Sequence, residues 1–161
     1  MRVRHTAKAL PRKWAKRGSG IIHEADLRVW RHSKIVAKLL VFENRRALRR
    51  FWKDLNPPGV SMKGACGVVS RLATYVIPFQ GGEEGRHYLA VDPRYFCMIG
   101  LAKGWLSMEI LTHEALHAAF AYQDRTRRVW DPENGEENLA YPTGRIAAAM
   151  LGSLSKAGLV E

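Results

Sequence analysis

Residues 112–117 read Thr112-His113-Glu114-Ala115-Leu116-His117, which contains the pattern H-E-x-x-H. In an α-helix, residues four apart lie on one face, one turn above each other. His113 and His117 therefore place two imidazole rings where their nitrogens can hold one metal ion. Glu114 projects about 100° round the helix from His113, so its carboxylate can reach a water beside the metal without ligating the ion.

The residues around this motif indicate a buried helix that begins near Ser107. Ser107 is a typical N-cap residue, and Glu109 in the first turn favours a helix start. Apolar side chains surround the motif on almost every side: Leu106, Met108, Ile110, Leu111, Ala115, Leu116, Ala118, Ala119, Phe120 and Tyr122. Two histidines and a glutamate buried there need partners, and a metal ion would satisfy all three. The alternative is a coincidental triplet whose histidines bond to the backbone.

The composition predicts one soluble domain. The chain has 161 residues, of which 47% are hydrophobic and 25% charged. No apolar run approaches the ~20 residues that a membrane span needs, and no secretory signal is visible. Cys66 and Cys97 lack C-x-x-C spacing and are expected to be reduced, buried thiols. These features favour a cytoplasmic protein that does not enter a membrane.

The net charge of +11 is concentrated in the N-terminal third. Residues 1–53 hold 16 Lys and Arg against 3 acids, a balance of +13, whereas the remainder has a balance of −2. We expect residues 1–20 to form a flexible basic arm and residues 43–55 to form an amphipathic helix with an arginine-rich outer face. Both could bind nucleic acid non-specifically through phosphates, or could simply be solvated.

The pattern before the motif predicts a small sheet. Strands are expected at residues 35–42, 74–79, 87–91 and 95–101, with weaker strand character over 21–34. Residues 60–73 are ambiguous. The strand at 95–101 could add an extended peptide if it lay at the sheet edge, although a core strand is the simpler interpretation. The motif helix should end near Tyr122, and an alanine-rich helix is expected from about Thr143 to Leu154.

A catalytic zinc usually takes three protein ligands and leaves one position open, so a third donor is needed. Glu137 lies 20 positions after His117, and Glu136 lies 19 positions after it. Helical phase favours Glu137, because it places the small Ala140 one turn further along on the same side. The other candidates are Asp124, Asp131 and Glu133.

The motif His113-Glu114-Ala115-Leu116-His117 followed by Glu137-Asn138-Leu139-Ala140 resembles the gluzincin group of zinc metallopeptidases. The similarity covers residues 95–150 well and residues 35–94 only as a pattern. It extends to small phage-type and repressor-cleaving metallopeptidase-like proteins. The resemblance implies an α+β fold with a minimal zincin-like core over residues 21–161: a small, mostly antiparallel sheet, a packed H-E-x-x-H helix and a C-terminal helix that carries Glu137 as third ligand.

Two departures from the gluzincin pattern affect the site. Pro142 follows Glu137 by five positions, and inside a helix it would lose a hydrogen bond and clash with the carbonyl of Asn138. The ligand helix is therefore expected to be kinked, or to start later than in the family with Glu137 at its very beginning. In addition, no residue is marked out by spacing to stabilise an oxyanion, and the candidates are Tyr141, Arg145, His87 and Tyr122.

The resemblance implies a zinc-dependent metallopeptidase that acts on a protein or peptide, with His113, His117 and Glu137 holding Zn2+ and Glu114 as general base. One alternative is a basic, nucleic-acid-associated protein whose zinc site is structural or regulatory. Another is a protein-binding module without metal, which leaves the His-Glu-His cluster unexplained. An intact Glu114 favours the peptidase, because a structural zinc site needs no general base.

Overall fold

The computed structural model describes residues 20–31, 33–55, 62–70, 74–78, 87–91, 94–126 and 135–161. Apart from Gly20, the predicted basic arm lies outside these ranges. The described elements, in chain order, are β1 (Ile21–Leu27), β2 (Val36–Phe42), α1 (Arg45–Leu55), β3 (Gly67–Ser70), β4 (Thr74–Pro78), β5 (His87–Val91), β6 (Tyr95–Ala102), α2 (Met108–Thr126) and α3 (Gly135–Lys156). None of the helices in these ranges is long and apolar enough to cross a membrane.

Four strands form a mixed sheet in the order β1-β2-β6-β3, and β4 pairs with β5 in a separate two-stranded sheet. The β1–β2, β3–β6 and β4–β5 pairs are antiparallel, whereas β2 and β6 run parallel. The parallel pair requires a long connection between β2 and β6, and α1 lies within it. The prediction of an α+β fold with a mostly antiparallel sheet is confirmed.

Side chains of β2 alternate between two hydrophobic clusters, one on each face of the sheet. Ala37, Leu39 and Val41 belong to the cluster that contains the buried residues of α2 and α3. Leu40 and Phe42 belong to the cluster that contains the buried residues of α1. The sheet therefore separates α1 on one face from the H-E-x-x-H helix on the other.

Helix α1 confirms the predicted amphipathic helix on the sheet. It begins at Arg45 because the Asn44 side chain caps it: the backbone N–H of Ala47 donates to Asn44 Oδ1 at 2.9 Å. Its Trp52 is fully buried and lies over Gly100 of β6, where an added Cβ would collide with the indole ring. The missing side chain at Gly100 thus lets α1 approach the sheet closely.

Strand β6 is an interior strand, not an edge. It pairs with β2 on one side and β3 on the other, and all eight of its residues are buried. The interpretation of residues 95–101 as a core strand is therefore confirmed, and the alternative of a peptide-binding edge does not apply to β6. In the described sheet the edge beside β6 is occupied by β3, which lies within the stretch that the sequence left ambiguous.

Helix α2 starts as predicted and ends later. The backbone N–H of Ile110 donates to Ser107 Oγ at 3.3 Å, which confirms Ser107 as the cap. The helix continues four residues beyond the expected end at Tyr122, to Thr126. In this last turn Thr126 Oγ1 donates to the carbonyl of Tyr122 at 2.9 Å, and Gln123 contacts α3.

Helix α3 starts at Gly135 and runs through Pro142, eight residues before the expected start near Thr143, so that boundary is wrong. Glu137 lies in its first turn, in agreement with the expectation of a ligand helix that begins at this residue. Pro142 has no N–H to donate to the carbonyl of Asn138, four residues earlier. That carbonyl instead accepts a hydrogen bond from Gln123 Nε2 of α2, at 3.0 Å. A side chain from the neighbouring helix thus replaces the lost helical bond and supports the helix across the proline.

Candidate metal centre

His113 and His117 present their rings to solvent from adjacent turns of α2. Their Nε2 atoms are 3.2 Å apart, and the ring planes are inclined by 76°. Two nitrogens bound tetrahedrally to one zinc at about 2.0–2.1 Å would be separated by about 3.3–3.4 Å. The pair therefore has the spacing of two ligands to one ion. The same distance also suits a hydrogen bond between two neutral rings, in which one nitrogen donates and the other accepts.

Glu114 turns the other way and is buried between α2 and β3, with 5% of its surface exposed. Its side chain occupies the space over Gly67, the first residue of β3. A Cβ added at Gly67 would lie 2.6 Å from Glu114 Cγ and 2.7 Å from both Cδ and Oε1. The absence of a side chain at Gly67 is therefore what gives the carboxylate its place.

Burial raises the pKa of Glu114 above its ordinary value, and the charge of the neighbouring His113 partly opposes this. A carboxylate with a raised pKa is a stronger base than an exposed glutamate. Glu114 is adjacent to His113 in the chain, and its side chain projects to the β3 side of α2 while the two imidazoles face solvent. Its raised pKa is that expected of a proton acceptor.

The predicted third ligand, Glu137, and its alternative, Glu136, are both exposed in the first turn of α3. Helices α2 and α3 run antiparallel, because Gln123 contacts Asn138 while Thr143 lies beside His113. This register puts both glutamates near the Gln123 end of α2, away from His113. Within the ranges that the structure describes, no three His, Cys, Asp or Glu side chains form a group that could hold a metal ion.

The phase of α3 distinguishes the two glutamates. Glu136 precedes Thr143 by seven residues, so the two lie within about 20° of each other round the helix. Glu137 points about 180° from the buried Ile146, to the solvent side. Glu136 therefore shares the side of α3 that carries Thr143 towards His113. The helix phase in the structure favours Glu136 as the third ligand, whereas the family-like spacing favours Glu137. The assignment of Glu137 as third ligand stays a prediction.

The remaining candidates are placed as follows. Asp124 is exposed on α2, two turns beyond His117, and Asp131 and Glu133 lie outside the described residues. The side chain of His87 also lies outside them. Tyr122 is buried, stacked on Trp30 at 4.2 Å between ring centroids, so it belongs to the core and not to the site.

Tyr141 and Arg145, the other candidates for oxyanion stabilisation, are exposed on α3. Each lies two residues from Thr143, which is about 200° round the helix. They therefore project from the side of α3 that faces away from the groove containing Thr143. Their predicted role in stabilising a transition state stays a prediction.

An open groove of about 530 Å³ lies beside His113, lined by Met108, Glu109, Thr112, His113, Leu116 and Thr143. Met108 and Leu116 are 55% and 37% exposed, which is high for such apolar side chains. The sequence predicted that this face and the two histidines would be buried, and that prediction is wrong. Met108, Thr112 and Leu116 are four residues apart and therefore lie on one face of α2. That α3 leaves this face open to solvent could not be read from the spacing.

Neither Gly67 nor the groove was identified from the sequence. Gly67 lies within residues 60–73, where no periodicity distinguished a strand. Its role depends on the approach of α2, which is more than forty residues away in the chain.

The chain was compared with protein-family models, with curated proteins and with solved structures. It matches no family model. No curated protein and no solved structure matches it either, so the residues of the site carry the functional argument alone.

Proposed function

We propose that the protein is a zinc-dependent metallopeptidase centred on the exposed face of α2. The observation that carries this proposal is the pair of imidazole Nε2 atoms 3.2 Å apart, with the buried carboxylate of Glu114 on the same helical turn. The spacing suits two ligands to one zinc ion, and a buried carboxylate follows the first of them in the chain.

His113 and His117 would hold zinc through Nε2, and a third donor would come from the first turn of α3, Glu136 or Glu137. A zinc ion held there supplies a Lewis acid that polarises a carbonyl and makes water more acidic. Glu114 takes a proton from water at its carboxylate and passes it to the leaving amine. Its raised pKa suits both steps, because the group must first accept the proton and then release it.

The groove beside His113 supports a protein or peptide as the substrate. Met108 and Leu116 offer apolar contacts to a side chain that enters the groove, and Thr112 and Glu109 add polar groups at its wall. A peptide bound across α2 would place a carbonyl near the histidines while a neighbouring side chain occupies the groove. Binding of this kind orients the scissile bond relative to Glu114.

The alternative is a basic protein associated with nucleic acid, in which the zinc site has a structural or regulatory role. It is favoured by the excess of positive charge in residues 1–53 and by the arginine-rich outer face of α1. The two proposals differ in what Glu114 does. A structural or regulatory site would not depend on a general base beside the metal.

The test is hydrolysis by the full chain, purified without a histidine tag and loaded with zinc. Labelled casein and a mixture of unstructured peptides serve as substrates. Glu114→Gln should keep zinc and lower hydrolysis by about 10²–10⁴-fold, because only the proton acceptor is lost. Glu43→Gln, the same chemical change at an exposed position outside the site, should retain wild-type activity. A zinc-loaded wild type that cleaves neither substrate, or a Glu114→Gln variant as active as wild type, would overturn the proposal.

A further inference from the structure

Helix α1 carries a continuous basic stripe along its outer side, formed by Arg46, Arg49, Arg50 and Lys53. These positions are i, i+3, i+4 and i+7, so their side chains follow one another along one face. Arg46, Arg50 and Lys53 are exposed, and Arg49 is partly buried. The opposite face of α1 packs into the sheet through Leu48 and Trp52. The stripe therefore points away from the body of the protein.

Within the described residues, no carboxylate pairs with the cations of this stripe. Among the side chains that the structure describes, none of the four forms an ion pair, and the buried Nε of Arg49 has no hydrogen-bond partner. Lys38 provides the contrast, because it is paired with both Glu24 and Asp26. Four clustered like charges repel one another, so the stripe carries a standing electrostatic cost that an anionic partner would relieve.

We propose that the basic stripe of α1 binds the phosphate backbone of nucleic acid. Three of its four residues are arginines, whose planar guanidinium groups match phosphate oxygens in two-point contacts. The stripe spans seven residues, about 10 Å along the helix, which corresponds to about three phosphates of one strand along a duplex axis. Contacts of this kind carry affinity without sequence preference.

The packing of α1 distinguishes nucleic acid from a membrane surface. A helix that lies in a bilayer interface must insert its apolar face among the lipids. The apolar face of α1 is already buried, with Leu48 and Trp52 at or below 1% exposure. The basic stripe is therefore left as the surface that α1 presents to a partner, and its cations require no apolar insertion to contact phosphates.

The stripe is independent of the candidate metal centre. Helix α1 and helix α2 lie on opposite faces of the sheet, so a nucleic acid on α1 leaves His113 and His117 accessible. Binding at the two places should therefore not compete. The proposal stands even if the protein proves not to be a peptidase.

The experiment measures binding of the full chain to a fluorescent 20-base-pair duplex, by anisotropy, as the salt concentration is raised from 50 to 200 mM. The test variant combines Arg46→Gln, Arg50→Gln and Lys53→Gln. The matched control combines Arg28→Gln, Arg31→Gln and Lys34→Gln, three exposed cations in the β1–β2 connection, at the other end of β2 from α1. Both variants lose three positive charges, so a general effect of net charge would be equal in the two.

The wild type should bind the duplex, and the logarithm of its binding constant should fall linearly with the logarithm of the salt concentration. In the α1 variant this slope should be less negative by about 2–3, because each lost phosphate contact removes about 0.9. The control should retain the wild-type slope within about 0.5. Arg46→Lys with Arg50→Lys should retain most of the binding, which separates loss of charge from damage to the helix. Absence of wild-type binding at 50 mM salt, or equal losses in the two triple variants, would overturn the proposal. So would an α1 variant that loses binding to anionic lipid vesicles but not to the duplex.

Discussion

Replacing Gly67 by alanine should destabilise the protein, because the added Cβ would clash with the side chain of Glu114. The three nearest atoms to the added Cβ would be Glu114 Cγ, Cδ and Oε1, at 2.6, 2.7 and 2.7 Å. Ordinary van der Waals contact lies at 3.4–4 Å, so each pair would be too close by about 0.7–0.8 Å. Over-packing of a filled site costs about 1–3 kcal/mol. In a Glu114→Ala background those three atoms are absent, and the same substitution should cost almost nothing.

The assay is a double-mutant cycle. Urea unfolding of the metal-free wild type, the two single variants and the double variant yields four free energies of unfolding at one pH. We expect a coupling of about 1–3 kcal/mol between positions 67 and 114, well above the deviation of about 0.3–0.5 kcal/mol seen for independent sites. The lower unfolded-state entropy of alanine cancels, because it enters both arms of the cycle.

Gly152→Ala is the matched control for this cycle. Its added Cβ, in the interior of α3, would meet no atom within 4 Å. It should stabilise the protein by about 0.5–1 kcal/mol and add independently to Glu114→Ala. A coupling below about 0.5 kcal/mol between Gly67 and Glu114 would refute the placement of the carboxylate against β3.

Three further predictions follow from single positions. Burial lowers the pKa of Lys38, but its hydrogen bonds to two carboxylates outweigh this and raise the pKa above 10.5. The ion pairs therefore stabilise the fold at lower pH, and their contribution is lost as the pH rises through the raised pKa. Urea unfolding at a series of pH values should show this loss of stability in the wild type and not in Lys38→Met. Burial strongly raises the pKa of the Cys97 thiol, whereas Cys66 is only partly buried, so the predicted burial is confirmed for Cys97 and wrong for Cys66. A thiol reagent should modify Cys66 in the native protein and Cys97 only after unfolding, and equal rates would contradict this. Loss of a zinc ligand should weaken zinc affinity by about 100-fold or more, as expected if a binding free energy of about 10–16 kcal/mol is shared among four ligands. Zinc titration should show a larger loss of affinity in Glu136→Ala than in Glu137→Ala, and the reverse order would support Glu137, the ligand that the sequence spacing favours.

Local patterns were sufficient to predict several elements of the fold. The cap at Ser107, the amphipathic α1 and the buried strand at residues 95–101 each depend on neighbours within a few positions, and the structure confirms all three. The start of α3 could not be predicted this way. Pro142 signals a helix break in isolation, and only the side chain of Gln123, from a separate helix, satisfies the carbonyl that the proline leaves free.

The candidate site shows the same division. The spacing of His113 and His117 predicted converging imidazoles, because the helix itself determines their separation. The burial of Glu114 depends on the approach of β3, and Gly67 has no signal in its own neighbourhood that would reveal this contact. The third ligand depends on the register between α2 and α3, which spacing along the chain does not determine.

Zinc binding by His113 and His117 is decided by elemental analysis and calorimetric titration of protein purified without a histidine tag. We expect one zinc per chain in the wild type, and at least a 100-fold loss of affinity in His113→Ala and in His117→Ala. His23→Ala, which removes an imidazole bonded to Ser153 and outside the site, should bind zinc as the wild type does. A wild type that emerges metal-free and takes up no added zinc, or two α2 variants that bind zinc as well as His23→Ala, would contradict the proposed metal centre.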